Sequence, residues 1–379
     1  MNSTYLYGEA RKRLDALFQA SGFNSVDTGN RVTVVSRHFE SGPVAGFGSA
    51  LTDEDLAIVE NRSFNYRIFK PAGASVPATD LILLFHGLNE RSWEKYYPWA
   101  EKLCVETGKP VLLFPLAFHM DRSPKIFNEK DELFDFYHDR KATEADVKDI
   151  SALNAVLSSR LETQPERFFT SGYQTYTDVI ALIRQIRRGE HLDFAPGAHF
   201  DIFAYSIGAF LAEILLLCDP DGLFSTAKLF TFCGGSVLET TNPLSKAIMD
   251  SRGVQAILRF FHILQRSPTQ ASSWQRLEQS IPAKELLYFS SMLGLDSYRT
   301  TREKRLSAIG DRIEGIALSH DLVIPPAGVR ETLGSRVTEE DFPYKYSHET
   351  PFPTLPAQGE LVDAAFNQVF DPAVRFLSR

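Results

Sequence analysis

The stretch HFDIFAYSIGAFLAEILLL, residues 199–217, constrains the fold more than any other part of the chain. Residues 199–205 form an apolar run with the composition of a buried strand, and residues 207–217 are apolar nearly all round, as in a helix covered on every side. A strand leading straight into such a helix leaves one residue, Ser206, to make the turn. Two positions away on either side stand Ala204 and Gly208. A crowded turn needs small residues there, because the backbones pass so closely that a bulky side chain clashes, and glycine tolerates the strained dihedrals nearby. The same turn lifts the serine hydroxyl above the sheet edge, where a nucleophile has to stand. A serine between strand and helix also serves as a helix cap, so this pentapeptide alone leaves both readings open.

The rest of the chain supplies context. With 379 residues there is room for one large α/β domain with insertions or for two ordinary domains. Hydrophobic residues make up 44% and charged residues 23%, which suits a globular protein with a full core. A net charge of -8 disfavours nucleic acid or an anionic membrane as principal partner; it leaves a small-molecule substrate open and is otherwise uninformative. Cys104, Cys218 and Cys233 lack C-x-x-C spacing, which argues against a zinc site or a disulfide framework and for buried thiols in a reducing compartment. The first residues have no basic start followed by an apolar core, and no segment has the length of a membrane span. A cytoplasmic location is the expectation. Most of the 29 phenylalanines belong in the core, with some available to line an acyl-sized pocket.

Strand and helix patterns alternate along most of the sequence. Residues 31–39 and 63–69 read as an antiparallel pair of entry strands, and LILLFHG, 81–87, as a central parallel strand apolar on both faces. A helix is predicted over 92–107, with Tyr96, Trp99, Ala100 and Leu103 on one side and Gly108 ending it, while Pro98 either kinks it or marks its true start. VLLFP, 111–115, is a second buried strand. A charged excursion over about 118–168, with aromatic clusters such as LFDFYHD, reads as an added structured segment. Helical periodicity over 175–188 ends at Gly189, and strand 199–205 then delivers Ser206. After the strand LFTFCGG, 229–235, residues 236–310 read as several short helices. An insertion at that point of a sheet lies over the strand carboxyl ends, where ligands bind, and is expected to be a lid; the alternative is a helical subdomain with no gating role. Strands at 313–319 and 342–347 and a helix at 361–377 complete the chain. The economical fold is a doubly wound, mostly parallel sheet, its core formed by 1–235 and 311–379.

This succession resembles the α/β-hydrolase superfamily over residues from 31 to the carboxyl terminus, the two insertions being departures. The AYSIG segment is similar to that family's G-x-S-x-G turn, with Ala204 in place of the first glycine. In SHDLVIPP, Asp321 follows a strand as the family's acid does, and in YSHETPFP, His348 follows the last strand as its histidine does. The resemblance implies a Ser206, His348, Asp321 triad performing acyl transfer, with no cofactor and no metal. It also implies an oxyanion hole from the backbone amides of Ile207 and Leu88, the latter in a turn, His86-Gly87-Leu88, similar to the family's His-Gly turn, which His86 shapes. Relatives that carry aspartate at the turn, dehalogenases and epoxide hydrolases, are excluded by the serine.

Competing residues exist. His320 adjoins Asp321, and Glu239 follows the 229–235 strand at a place some relatives use for the acid. His119 with Asp121 and His138 with Asp139 lack the spacing and third ligand of a zinc site. The basic run RTTREKR, 299–305, reads as a solvated helix face that hints at anionic substrate groups. The sequence-based reading is a serine hydrolase acting on an ester, thioester or amide with a small to medium apolar acyl part. An acyltransferase and a catalytically silent binding protein on the same fold are the alternatives.

Overall fold

Among the described residues, nine strands form one sheet: β1 (Ser25–Asp27), β2 (Val32–Glu40), β3 (Ser63–Pro71), β4 (Ala78–Phe85), β5 (Val111–Leu113), β6 (Phe194–Tyr205), β7 (Leu229–Phe232), β8 (Ile313–Leu318) and β9 (Val337–Glu340). The computed structural model describes residues 5–21, 25–28, 31–42, 53–74, 77–143, 147–266, 279, 281–354 and 356–379. The strand order is β1-β2-β3-β5-β4-β6-β7-β8-β9. β1, β2 and β3 pair antiparallel, β3 runs antiparallel to β5, and every pairing from β5 onward is parallel. With β5 and β4 exchanged relative to chain order and later strands added one by one beyond β6, this is the α/β-hydrolase fold. The short β1 extends its antiparallel edge.

Strand alternation explains how one sheet serves two cores. Leu81, Leu83 and Phe85 of β4 face one apolar layer, and Ile82 and Leu84 face the other, so a strand buried on both sides has to be apolar throughout. Helices Glu166–Arg187 and Ile207–Cys218 cover the first face; helices Tyr7–Ser21, Tyr97–Thr107 and Gly359–Leu377 cover the second. Trp99, fully buried, holds the second core together through ring contacts with Tyr205, Phe232, Phe352 and Phe370. No helix among the described residues is long and apolar enough to cross a membrane.

Several predicted boundaries move, each for a local reason. The helix expected from 92 begins at Tyr97 with Pro98 in its first turn, where a missing amide costs nothing, and ends at Gly108 with φ 71°. The helix expected from 175 starts at Glu166 and so absorbs the end of the 118–168 excursion. β6 begins at Phe194 instead of 199, because the register against β4 shifts between Ala78 and Asp80, which lets Pro196 and Gly197 sit inside a strand. The strand expected over 342–347 is absent; the last strand is β9, an edge strand pairing with β8 from Val337 to Glu340. The alternation of Phe342, Tyr344 and Tyr346 comes from packing on one another, with ring centroids 5.6 Å and 5.2 Å from Phe342, and Pro343 has no amide to give a ladder. The amino-terminal helix Tyr7–Ser21, not foreseen, docks through Tyr7, Ala10, Leu14 and Phe18, and Arg13 pairs with the buried Glu101 at 2.6 Å.

The two insertions pack on each other. Helix Ala155–Thr163 from the first lies against helix Ser251–Arg266 from the second, the Asp250 amide donates to Ser158 Oγ at 3.0 Å, and Arg140 pairs with Asp250.

Helix Ile207–Cys218 carries one costly residue. Glu213 is fully buried, neither carboxyl oxygen has a hydrogen-bond partner among the described residues, and burial raises its pKa well above the ordinary range, with Arg302 opposing. The folded protein therefore holds a proton that the unfolded chain releases, and stability falls as pH rises from the ordinary glutamate range toward the raised value. Glu213→Met is expected to raise the denaturation midpoint, with a gain over the parent that grows by about 1.4 kcal/mol per pH unit within that window; equilibrium unfolding between about pH 5 and about pH 8 measures it.

Candidate active site

Ser206 closes β6 with φ 56° and ψ −124°, a conformation that costs a non-glycine residue about 1–3 kcal/mol and persists only where neighbours impose it. The neighbours are on hand. The Ser206 amide donates to the Phe232 carbonyl at 3.2 Å, and the Ala209 amide returns to the Ser206 carbonyl at 2.9 Å. A Cβ at position 208 would lie 2.8 Å from the His86 carbonyl oxygen and from Phe85 Cβ, which explains the glycine there. Gly234 is a second such position: a Cβ on it would meet Ala209 Cβ at 2.5 Å and the Ser206 carbonyl at 2.9 Å. Sequence reasoning passed over it, although the Gly234-Gly235 pair at the end of β7 was the available signal.

Three side chains distant in sequence meet above the parallel strand ends. The Ser206 hydroxyl donates to His348 Nε2 at 2.7 Å, and His348 Nδ1 donates to Asp321 Oδ2 at 2.7 Å. The tautomer is assigned from the carboxylate, which only accepts. Asp321 Oδ1 is held by the amides of Val323 and Ile324 at 2.9 and 2.8 Å, so the carboxylate is fixed by backbone as well as by the imidazole. All three side chains are buried. The Tyr205 hydroxyl donates to the His348 carbonyl, tying the histidine loop to the residue before the serine.

The loop after β4 approaches from the other side. His86 Nδ1 donates to the Gly87 carbonyl at 2.8 Å and its Nε2 accepts the Leu116 amide at 2.9 Å, so both ring nitrogens shape the turn. The Gly87 amide donates to the Tyr96 hydroxyl, which donates in turn to Glu90, both at 2.9 Å. The amides of Leu88 and Ile207 donate to no acceptor among the described residues, and both residues line one cleft with Ser206. Lys95, also unforeseen, sits 4.6 Å from the Tyr205 ring centroid, pairs with Glu90 and donates to the Glu349 carbonyl at 3.2 Å.

The competing residues lie elsewhere. His320 is exposed, 3.6 Å from Asp341, and Glu239 accepts the Leu295 amide at 2.8 Å. His119 and Asp121 diverge, His119 donating to the Ala117 carbonyl and Asp121 pairing with Arg67, while His138 and Asp139 are exposed on helix Lys130–Thr143. The basic run is a solvated face only in part: Arg299, Glu303 and Lys304 are exposed, but Arg302 is buried against the carbonyls of Ser291, Gly294 and Leu295, and Arg305 bonds those of Leu216 and Leu217. Cys233 brings its sulfur within 4.8 Å of donor atoms on Asp321 and His348. Burial holds that thiol well above its ordinary pKa, which disfavours the thiolate that a metal needs.

Residues 27–378 match a family described as "Family of unknown function (DUF6051)". The chain belongs to this family. No curated protein matches the sequence. Similar solved structures include a cold-adapted esterase from an Arctic intertidal metagenomic library, 13% identical, covering 92% of this chain and 94% of that one with a TM-score of 0.40. Vibralactone cyclase is 11% identical, covering 97% and 86% with a TM-score of 0.46. A thermostable esterase from Pseudomonas putida is 13% identical, covering 98% and 90% with a TM-score of 0.43. Likenesses this distant say nothing about the reaction of this DUF6051 protein, which rests on the site's own geometry.

The crowding around the serine turn yields a test of the packing. Gly234→Ala forces a contact of 2.5 Å and is expected to lose about 1–3 kcal/mol in denaturant unfolding. Gly172→Ala, in helix Glu166–Arg187 with nothing within 4 Å of the added carbon, is expected to gain about 0.5–1 kcal/mol. Equal effects at the two positions would contradict the close approach.

Proposed function

We propose that the protein is a serine hydrolase that cleaves an ester, thioester or amide of a small to medium, largely apolar acyl group through an acyl-enzyme. The observation that carries this reading is the continuous hydrogen-bonded run from the Ser206 hydroxyl through His348 to Asp321, 2.7 Å at each step. In the reaction His348 Nε2 takes the serine proton as Oγ attacks the substrate carbonyl, and then gives it to the leaving group. Asp321 keeps Nδ1 protonated and stabilises the imidazolium without itself taking the proton. The amides of Leu88 and Ile207 receive the developing oxyanion, the second assisted by the positive end of helix Ile207–Cys218. Water, activated by the same imidazole, then releases the acid.

The acyl group finds room beside the serine. The cleft containing Ser206 adjoins an apolar chamber walled by Phe210, Leu211, Ile214, Phe261, Phe289 and Leu293. Residues Leu238, Ile248, Met249 and Ile257, within the 236–310 segment, wall the cleft as a lid would.

Labelling with a fluorophosphonate probe, with the adduct mapped by mass spectrometry, tests the assignment. Modification is expected at Ser206 and is expected to vanish in Ser206→Ala and in His348→Ala. Asp321→Asn is expected to lower kcat on a 4-nitrophenyl ester by about ten thousandfold, through loss of the correct tautomer. Absence of labelling, or labelling that persists in both alanine variants, contradicts the reading.

A further inference from the structure

Leu88 and Phe168 line the Ser206 cleft, the apolar chamber and also a third cleft, which encloses ≈ 670 Å³ of empty space, part of it open to solvent. This third cleft differs from the apolar chamber in its charged lining, Glu90, Arg91, Arg160 and Arg167, and shares His119 with it. His119 is about nine-tenths buried on its wall, and its ring stands 5.5 Å, centroid to centroid, from that of His86 in the turn that carries Leu88. Its Nδ1 donates to the Ala117 carbonyl at 2.8 Å, so Nε2 carries the lone pair, and Nε2 is buried with no partner among the described residues. A buried acceptor without a donor is costly unless an ordered water or a ligand supplies one.

Arg91 provides a second, independent vacancy in the same cleft. Its Nη2 donates to the Leu153 carbonyl, but Nη1 is buried without a partner, and Arg91 forms no ion pair among the described residues. The other charges lining the cleft are committed. Arg160 and Arg167 converge on Asp55, and Glu90 is held by Lys95 and the Tyr96 hydroxyl. Burial alone works against the Arg91 charge, with no acid to offset it; burial first, and then the nearby Arg122 and Arg91 charges, lower the pKa of the His119 imidazole.

We propose that this cleft is a subsite for a carboxylate-bearing arm of the substrate, the carboxylate pairing with Arg91 and a hydroxyl or amide N–H on the arm donating to His119 Nε2. A carboxylate fits better than a phosphate monoester, because one free guanidinium nitrogen offers two N–H donors and shares a single charge, where a dianion needs several of each. The substrate then has two unlike ends around its scissile bond, one apolar and one anionic. The subsite rests on the serine hydrolase reading for its reaction but not for its binding, so the two are separable by experiment.

Two matched ester pairs test it from both sides of the scissile bond: 4-nitrophenyl butyrate against 4-nitrophenyl hydrogen glutarate, and phenyl butyrate against 4-(butyryloxy)benzoate. In at least one pair the anionic-to-neutral ratio of kcat/KM is expected to fall by about tenfold or more in Arg91→Met, the scale of a charge-assisted hydrogen bond, and to recover in part in Arg91→Lys. A ratio that Arg91→Met leaves unchanged in both pairs overturns the subsite. His119→Phe is expected to erase a preference for the 3-hydroxyglutarate ester over the glutarate ester, which a purely structural role would not do. Calorimetric titration of the same anionic esters into Ser206→Ala measures binding without turnover. Binding that Arg91→Met abolishes supports the subsite even if no ester is hydrolysed; binding indifferent to Arg91 overturns it even if esters are hydrolysed.

Discussion

The strained turn at Ser206 is the constraint to which the rest of the site is fitted. A serine at φ 56° returns to relaxed geometry unless the strand before it and the helix after it are both held, and they are held by burial. β6 lies in mid-sheet between β4 and β7, and helix Ile207–Cys218 is buried along almost its whole length. The close approaches at Gly208 and Gly234 press the turn between the β4 loop and the end of β7. The same tight packing fixes the serine hydroxyl beside the imidazole and sets the Leu88 and Ile207 amides against one cleft. Preorganisation of this kind is what electrostatic stabilisation of an oxyanion requires, since donors already in place need not reorganise during the reaction.

A second layer of contacts connects that centre to the insertions. Asn89, at φ 59°, donates from one side-chain amide to the Leu153 carbonyl at 2.9 Å and to the Ala247 carbonyl at 2.6 Å. It therefore joins the loop bearing Leu88 to both inserted segments at once. On the opposite side, Ser245 donates to Glu349, next to His348. The segments that wall the cleft are thus bonded to the loops that carry Leu88 and His348. A change of position in either insertion would be felt at the reacting groups through hydrogen bonds that can be named, which is a physical basis for coupling.

Much of the site was legible because its signals are local. The sequence between 199 and 217 reads as a buried strand, a small-residue turn and a buried helix, an arrangement that hides its many apolar side chains and leaves one serine between them. Asp321 and His348 are singled out in the sequence by their order after strands, and the structure brings both side chains to Ser206 although the strand before His348 was misplaced. That misplacement is instructive. β9, with the sequence VTEE, sits at the sheet edge with one face wet, so it carries little apolar signal, whereas 342–347 alternates for the sake of an aromatic cluster. The early start of β6 was hidden by Pro196 and Gly197, which a bulged pairing tolerates and a regular one does not.

Residue type, chain order and small-residue spacing were therefore determined by the sequence alone, because they follow from what a few neighbouring residues can bury or bend. The tertiary structure decided what depends on partners far along the chain. It set the 2.7 Å contacts across 142 and 27 residues, turned Arg302 and Arg305 inward to satisfy carbonyls, and packed the two insertions together. It also left Arg91 and His119 with hydrogen-bonding capacity unmet among the described residues beside the cleft. Whether a polar group finds its partner is a property of the folded packing, and no local pattern of residues encodes it.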